Sequence, residues 1–274
     1  MIRLGLLFLV LPLAACAIES PSATAPETAS DPPTETQTVT VAAAASLTDA
    51  MTDVAAAFEE RYPDIEVRLN FAASGTLQRQ IERQAPVDVF ASAAQTPMDE
   101  LEARGLVDSE TRRVFAANRI VMVVLVESEV SLKSLEALKT QEIDRLAIGN
   151  PETVPAGRYA KQALEAAQLY DSLETAQILV FAENVRQVLA YVEQNSVDAA
   201  IVYQTDAAIS DHVRVAFPIP ADFSEPIRYP IAVVRQSQEP EAAREFVEFV
   251  ASSESQGIFD KYGFLTGEAR GGDS

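Results

Sequence analysis

The sequence predicts an α/β protein in two lobes, each a mainly parallel sheet flanked by helices. Three observations carry this. From Val39 onward, short apolar strands alternate with amphipathic helices, the pattern of βα units with parallel strands. Nine candidate strands over residues 39–274 suit two lobes better than one sheet. Finally, the apolar run 119–126 follows Ala116-Ala117-Asn118 and reads as a crossing into a second lobe, with 229–235 (YPIAVVR) as the return.

The elements follow in order. Strand 39–44 leads through Ser46 into helix 48–61, where Met51, Val54, Ala55 and Phe58 fall at i, i+3, i+4 and i+7 and form one buried stripe. Strand 65–71 and helix 76–84 repeat the design with Ser74 at the junction. A serine capping a helix leaves a hydroxyl and unpaired N–H groups at the positive end of the helix dipole, a ready anion site. Strand 87–92, helix 97–104, the crossing strand 119–126 and helix 131–139 come next. Strand 145–149 runs into GNPETVPAGRYA, where Pro155 suits the first turn of helix 156–168 and leaves the N–H groups of Ala156 and Gly157 free. Strand 177–181 precedes helix 184–195, capped by Asn184 so that the Val185 N–H is free, with Val185, Val188, Leu189 and Val192 as its stripe. Strand 198–203 ends at Tyr203, whose phenol donates without bringing charge. Helix 204–210, strands 213–217 and 229–235, and helices 239–252 and 254–262 complete the chain, the last two packing back on the first lobe.

Composition narrows the function. With 41 acids against 21 bases the formal charge is −20, which disfavours nucleic acid and anionic membrane surfaces as partners. An anion site here must work through local dipoles and hydrogen bonds, and neither serine junction holds a Lys, Arg or His. A hydrolase using Ser46 or Ser74 needs a positioned base. Neither serine stands in G-x-S-x-G or S-x-x-K, and His212 is the one histidine. The acids Asp99, Glu100 and Glu102 read as a solvated helix face, and Arg158 as a solvated residue near the site.

Residues 1–15 carry Arg3, an apolar stretch from Leu4 to Leu13 and then small residues, the pattern of a secretory signal peptide. The one cysteine, Cys16, follows Leu13-Ala14-Ala15. That run resembles the bacterial lipoprotein box, which implies cleavage before Cys16 and lipidation of its thiol; an ordinary leader with an unrelated cysteine is the alternative. Residues 17–38 hold 4 Pro, 3 Ser and 5 Thr with four acids and no base, a composition that reads as a disordered tether.

The stretch from Val39 to Phe264 resembles the substrate-binding proteins of bacterial molybdate ABC transporters. The resemblance rests on AAASLTDAM (43–51), FAASGTLQRQIE (71–82), APVDVFASA (85–93), GNPETVPAGRYAKQAL (149–164), ENVRQVLAYVE (183–193), AIVYQTDA (200–207), YPIAVV (229–234) and FDKYGF (259–264), all in order. It implies a two-lobed type II periplasmic binding protein fold closing over a tetrahedral oxyanion in the interlobe cleft. It also implies five ligand contacts: hydroxyl and N–H from Ser46 and Ser74, backbone N–H from Ala156 and Val185, and the Tyr203 hydroxyl. No enzyme activity, cofactor or cation ligand is implied. The ligand is molybdate or the similarly sized tungstate, with sulfate as the alternative oxyanion. The partners are a membrane permease driven by a cytoplasmic ATPase, and the membrane itself through Cys16, for a monomer on the periplasmic or cell-surface side. The expected organisation is leader 1–15, lipidated cysteine and tether 16–38, lobe one 39–117 plus 226–274, and lobe two 118–225, with hinges near 117–120 and 222–230.

Overall fold

The computed structural model describes residues 36–139 and 143–267. The expected leader, Cys16 and the tether up to residue 35 lie outside the described residues. In chain order the elements are β1 (Gln37–Ala44), α1 (Thr48–Arg61), β2 (Ile65–Ala72), α2 (Ser74–Glu82), β3 (Val89–Ala91), α3 (Gln95–Ala103), β4 (Arg113–Asn118) and β5 (Ile120–Leu125). They continue with β6 (Leu146–Gly149), α4 (Pro155–Ala166), α5 (Tyr170–Thr175), β7 (Leu179–Ala182), α6 (Val185–Glu193), β8 (Ala199–Tyr203) and α7 (Gln204–Ala208). The last are β9 (Val213–Pro218), β10 (Ile227–Val233), α8 (Pro240–Val250) and α9 (Ser253–Lys261).

Among the described residues the strands form two five-stranded sheets, in the orders β2-β1-β3-β10-β4 and β7-β6-β8-β5-β9. The two share one plan. In each, three neighbouring strands run parallel, β2-β1-β3 and β7-β6-β8. The other two strands of each sheet are added in antiparallel pairings. The parallel character expected of the lobes thus holds for three adjacent strands of each sheet, starting from the edge strands β2 and β7. Of the described strands only β10 and β5 run against the trios, and these are the strands in which the chain arrives from the opposite lobe and enters its new sheet from the other end.

The chain passes from the first sheet to the second across Arg119 alone, between β4 and β5, and returns between β9 and β10. The strand β4 was not expected, since RVFAAN lacks a turn signal before the apolar run that follows. Helix 131–139 is instead a single 3-10 turn at Leu135–Lys139, and α5 is an element beyond those expected. β1 starts at Gln37, so Gln37 and Thr38, assigned to the tether from sequence, are strand residues opposite Ile65 and Glu66.

Burial follows the helix stripes. Met51, Val54, Ala55 and Phe58 on α1, and Val185, Val188, Leu189 and Val192 on α6, are all buried. Phe58 meets Phe246 and Phe249 of α8 edge-on at 5.2 and 5.5 Å between ring centroids, and a fully buried ring contributes about 1.5–3 kcal/mol. Helices α8 and α9 pack on β1, β10, β4 and α1, so the end of the chain closes the first lobe.

Candidate functional site

The parallel trios direct the carboxyl ends of six strands towards one point between the lobes, where ligands bind in open α/β folds. Ser46 follows β1, Ser74 opens α2 after β2, and Ala93 follows β3. From the second lobe come Val154 to Ala156 after β6, Val185 after β7, and Tyr203 as the last residue of β8. All five residues singled out in the sequence, Ser46, Ser74, Ala156, Val185 and Tyr203, line a single cavity with Ala44, Ala45, Ala73, Ala93, Val154 and Pro155. The cavity is small, about 10 Å³, room for about one water molecule. Its lining among the described residues includes no charged side chain.

The serines reach the cavity differently from the caps that the sequence suggested. Ser46 sits inside a 3-10 turn, Ala45–Leu47, and Ser74 is the first residue of α2 with Ala73 in the capping position. Neither side chain caps its helix, because tertiary partners claim both oxygens. Ser74 Oγ accepts the Ala93 N–H at 3.0 Å, and Ser46 Oγ lies 3.1 Å from the Tyr229 hydroxyl. With its oxygen occupied by an amide, Ser74 has its proton left to donate. The second lobe follows the sequence reading more closely. Pro155 is the first residue of α4, and the Asn184 side chain caps α6 by accepting from the Gln187 N–H at 3.0 Å. The N–H groups of Ala156 and Val185 fall in first turns, where a helix has no carbonyl to offer them.

Gly157 serves the second lobe's own packing. A Cβ there would stand 2.0 Å from the Gly149 carbonyl oxygen, so the close approach is between α4 and the end of β6. Gly75 works across the lobes: its N–H donates to the Thr153 carbonyl at 3.0 Å, and a Cβ would come within 2.8 Å of that oxygen. The Tyr203 hydroxyl also bridges the cleft, donating to the Ala93 carbonyl at 3.3 Å. Burial raises the Tyr203 phenol well above its ordinary pKa, so it stays protonated and a donor.

Sequence reasoning missed a polar layer beneath the cavity. Arg186, next to Val185, donates to Asp49 of α1 across the cleft at 2.5 Å, and its Nε stands 2.9 Å from Asp206 Oδ1 without pointing at it. Its charge is therefore spent on two carboxylates rather than facing the cavity. Burial pushes the Asp206 carboxyl up to about 7, against the opposing pull of Arg186. Asn118, Thr205 and Tyr229 complete the layer. The one available sequence signal was that Asp49, Arg186, Asp206 and Tyr229 all lie inside the quoted motifs; nothing in one dimension pairs them. The acids expected on a solvated face are tied in part, since Arg112 bonds Asp99 at 2.6 Å and also Glu102, and Gln78 bonds Glu100 at 2.5 Å.

Fold and site together define a solute-binding protein: two lobes joined by two crossings, with convergent donors between them. Residues 39–265 match the family model of the bacterial extracellular solute-binding proteins, and the chain belongs to that family. It is 38% identical over 231 residues to the molybdate-binding protein ModA of Escherichia coli, covering 82% of this chain and 88% of that protein. To the putative ABC transporter substrate-binding lipoprotein YvgL of Bacillus subtilis it is 37% identical over 227 residues, 83% and 86% of the two chains. Among solved structures, the substrate-binding domain of a putative molybdenum ABC transporter from Clostridium difficile superposes with a TM-score of 0.65 at 34% identity, over 84% of this chain and 98% of that one. The family binds solutes outside the cytoplasm and is not enzymatic. Among the described residues no helix is long and apolar enough to cross a membrane.

Proposed function

We propose that this protein captures molybdate, and tungstate with it, in the interlobe cavity and delivers the anion to an ABC permease. Ser46 and Ser74 donate hydroxyls and their own N–H, Ala156 and Val185 donate backbone N–H, and Tyr203 donates its hydroxyl to the ligand in exchange for its bond to the Ala93 carbonyl. The observation that carries the reading is the convergence of these five neutral donors, from both lobes, on one compact cavity without a charged wall residue. Such a cage suits an oxyanion that arrives fully ionised. A protonated oxygen needs an acceptor, and each unmade buried hydrogen bond costs about 1–3 kcal/mol. Sulfate is the second reading, because it too is fully ionised; its smaller size keeps it from reaching all donors at once.

In this proposal Cys16 carries the lipid that holds the protein on the outer side of a membrane, as the name of the Bacillus relative supports. The lobes are 39–117 plus 226–274 and 118–225, and they open about the crossings. A cavity of about 500 Å³ lies between those crossings, lined by Asn118 to Ile120 and Pro218 to Ala221 among others, which gives the hinge room to move. Thermal-shift and calorimetric titrations with molybdate, tungstate, sulfate and phosphate test the function. A ligand at 100 times its dissociation constant adds about 2.7 kcal/mol of stability. Stabilisation by the two larger anions alone is the expected result. An equal response to sulfate makes this a general oxyanion receptor, and no response to any anion ends the proposal.

A further inference from the structure

Tyr229 lies in β10, after the return crossing, and contributes nothing to the cavity wall. It is fully buried, as is Asn118 nearly, at 0% and 6% exposure. The strand β10 has a bulge between Tyr229 and Pro230, a device that re-aims a side chain within a ladder. The phenol lies 3.1 Å from Ser46 Oγ.

The direction of each proton in this cluster can be worked out. The Arg119 N–H donates to Asn118 Oδ1 at 2.9 Å. A backbone N–H has no other role than donor, so it fixes which way the amide faces. Asn118 Nδ2 therefore faces its other neighbours, donating to Thr205 Oγ1 at 2.9 Å and to the Tyr229 oxygen at 3.2 Å. The Tyr229 oxygen thus accepts. Its own proton then needs an acceptor; the Tyr203 hydroxyl is one neighbour, and Ser46 Oγ, at 3.1 Å in hydrogen-bond geometry, is the other. Tyr203, its ring centroid 5.8 Å from that of Tyr229, spends its own proton on the Ala93 carbonyl. Burial holds the Tyr229 phenol far above its usual pKa, so the donor persists at every physiological pH.

We propose that Asn118 and Tyr229 are positioning residues that commit the Ser46 oxygen as an acceptor from behind, so that the Ser46 proton points into the cavity. Ser74 reaches the same state through the Ala93 N–H. Both first-lobe hydroxyls are then presented as donors before any ligand arrives. This lowers the ordering cost of binding and denies an acceptor to protonated oxyanions. The inference rests on the reading of this cavity as the oxyanion site, and it adds how the cage acquires its all-donor character.

The test is a double-mutant cycle on molybdate affinity, by calorimetry on the wild type, Tyr229→Phe, Ser46→Ala and the double variant, with melting curves for each. Tyr229→Phe keeps the ring, and Asn118 keeps Thr205 as a partner. Loss of one oriented donor predicts an affinity about fivefold weaker. Because Tyr229 acts through Ser46, the double variant should bind like Ser46→Ala alone. A purely structural role would lower affinity equally in both backgrounds, and multiplying losses overturn the proposal. An unchanged or tighter Tyr229→Phe overturns it too, since it means that Ser46 had been donating to Tyr229. If Tyr229→Phe does not fold, Asn118→Ala takes its place in the cycle, with a weaker effect in the same direction and the same dependence on Ser46. A wild type that binds no oxyanion ends the functional reading and this inference together; a wild type that binds without the coupling ends this inference alone.

Discussion

The two lobes build the same kind of donor by different means. In the first, the donors beyond the main chain are the hydroxyls of Ser46 and Ser74, each held by a tertiary partner, Tyr229 and the Ala93 N–H. In the second, Ala156 and Val185 offer only backbone N–H, held by the helix starts of α4 and α6, and Tyr203 at the end of β8 adds the one side-chain hydroxyl. A hydroxyl can be deleted by one substitution, whereas a backbone N–H survives almost any residue but proline. The first lobe's share of the site should therefore be mutable with the fold intact. Apart from the Tyr203 hydroxyl, the second lobe's share should be reachable chiefly through its backbone packing.

Glycine substitutions break this comparison most sharply. Gly157→Ala forces a Cβ to 2.0 Å from the Gly149 oxygen, within one lobe. Overpacking of this kind costs about 1–3 kcal/mol or more, and thermal melting should show it without ligand. Gly75→Ala places its clash on Thr153, across the cleft. Melting of the unliganded protein should change little there, while molybdate affinity, read by calorimetry, falls by a comparable energy, because closure is what the clash opposes. Matching melting losses in the two variants would show that the cleft contact is part of the fold rather than of closure.

Side-chain deletions come next. Ser74→Ala and Tyr203→Phe should each weaken molybdate binding by about 1–3 kcal/mol with little change in unliganded stability. Equal affinity in the wild type and both variants would remove these residues from the site. Ala156→Ser and Val185→Thr, which keep the N–H, should cost less than either.

The layer beneath the site predicts a pH effect. Asp206 holds its proton up to about 7 in the folded state, against about 4 in an unfolded chain. Between these values the folded state binds more protons, so its contribution to stability is full below about 4 and is lost as pH rises to about 7. Asp206→Asn should flatten that part of the stability profile, measured by denaturant unfolding across the window. An unchanged difference between the two proteins from pH 4 to 8 would mean that Arg186 keeps Asp206 ionised throughout. The smallest effect belongs to Asp49→Asn. Its interlobe bond to Arg186 is partly exposed, with Asp49 at 41%, and pairs of this kind contribute about 0–1 kcal/mol. A modest rise in the ligand's dissociation rate is the expected readout.

Legibility differed between the two regions as well. The second-lobe donors were readable because their causes are local: Pro155 in a first turn and Asn184 as a cap act within three residues of the N–H groups that they leave free. The first-lobe serines line the cavity but do not cap their helices as the sequence suggests. Serine next to a helix start reads as a cap, and only the fold could show that Ala93 and Tyr229 take the oxygens instead. The strand β4 escaped because one residue, Arg119, separates it from β5, too short a break to register against a continuous apolar run.

By itself the sequence determined the alternation of strands and helices, the buried stripes of α1 and α6, the uncharged character of the strand ends, and the motifs shared with a family of solute-binding proteins. These depend on neighbours a few residues apart, where hydrophobic period and turn chemistry act. Tertiary structure alone decided that six strand ends meet at one cavity and that Gly75 meets Thr153 across the cleft. It also decided that Arg186 stands between Asp49 and Asp206, and that Asn118 and Tyr229 stand behind Ser46. Hydrogen bonds and ion pairs between different elements are made by the packing of whole elements, and no local pattern encodes the partner that packing will bring.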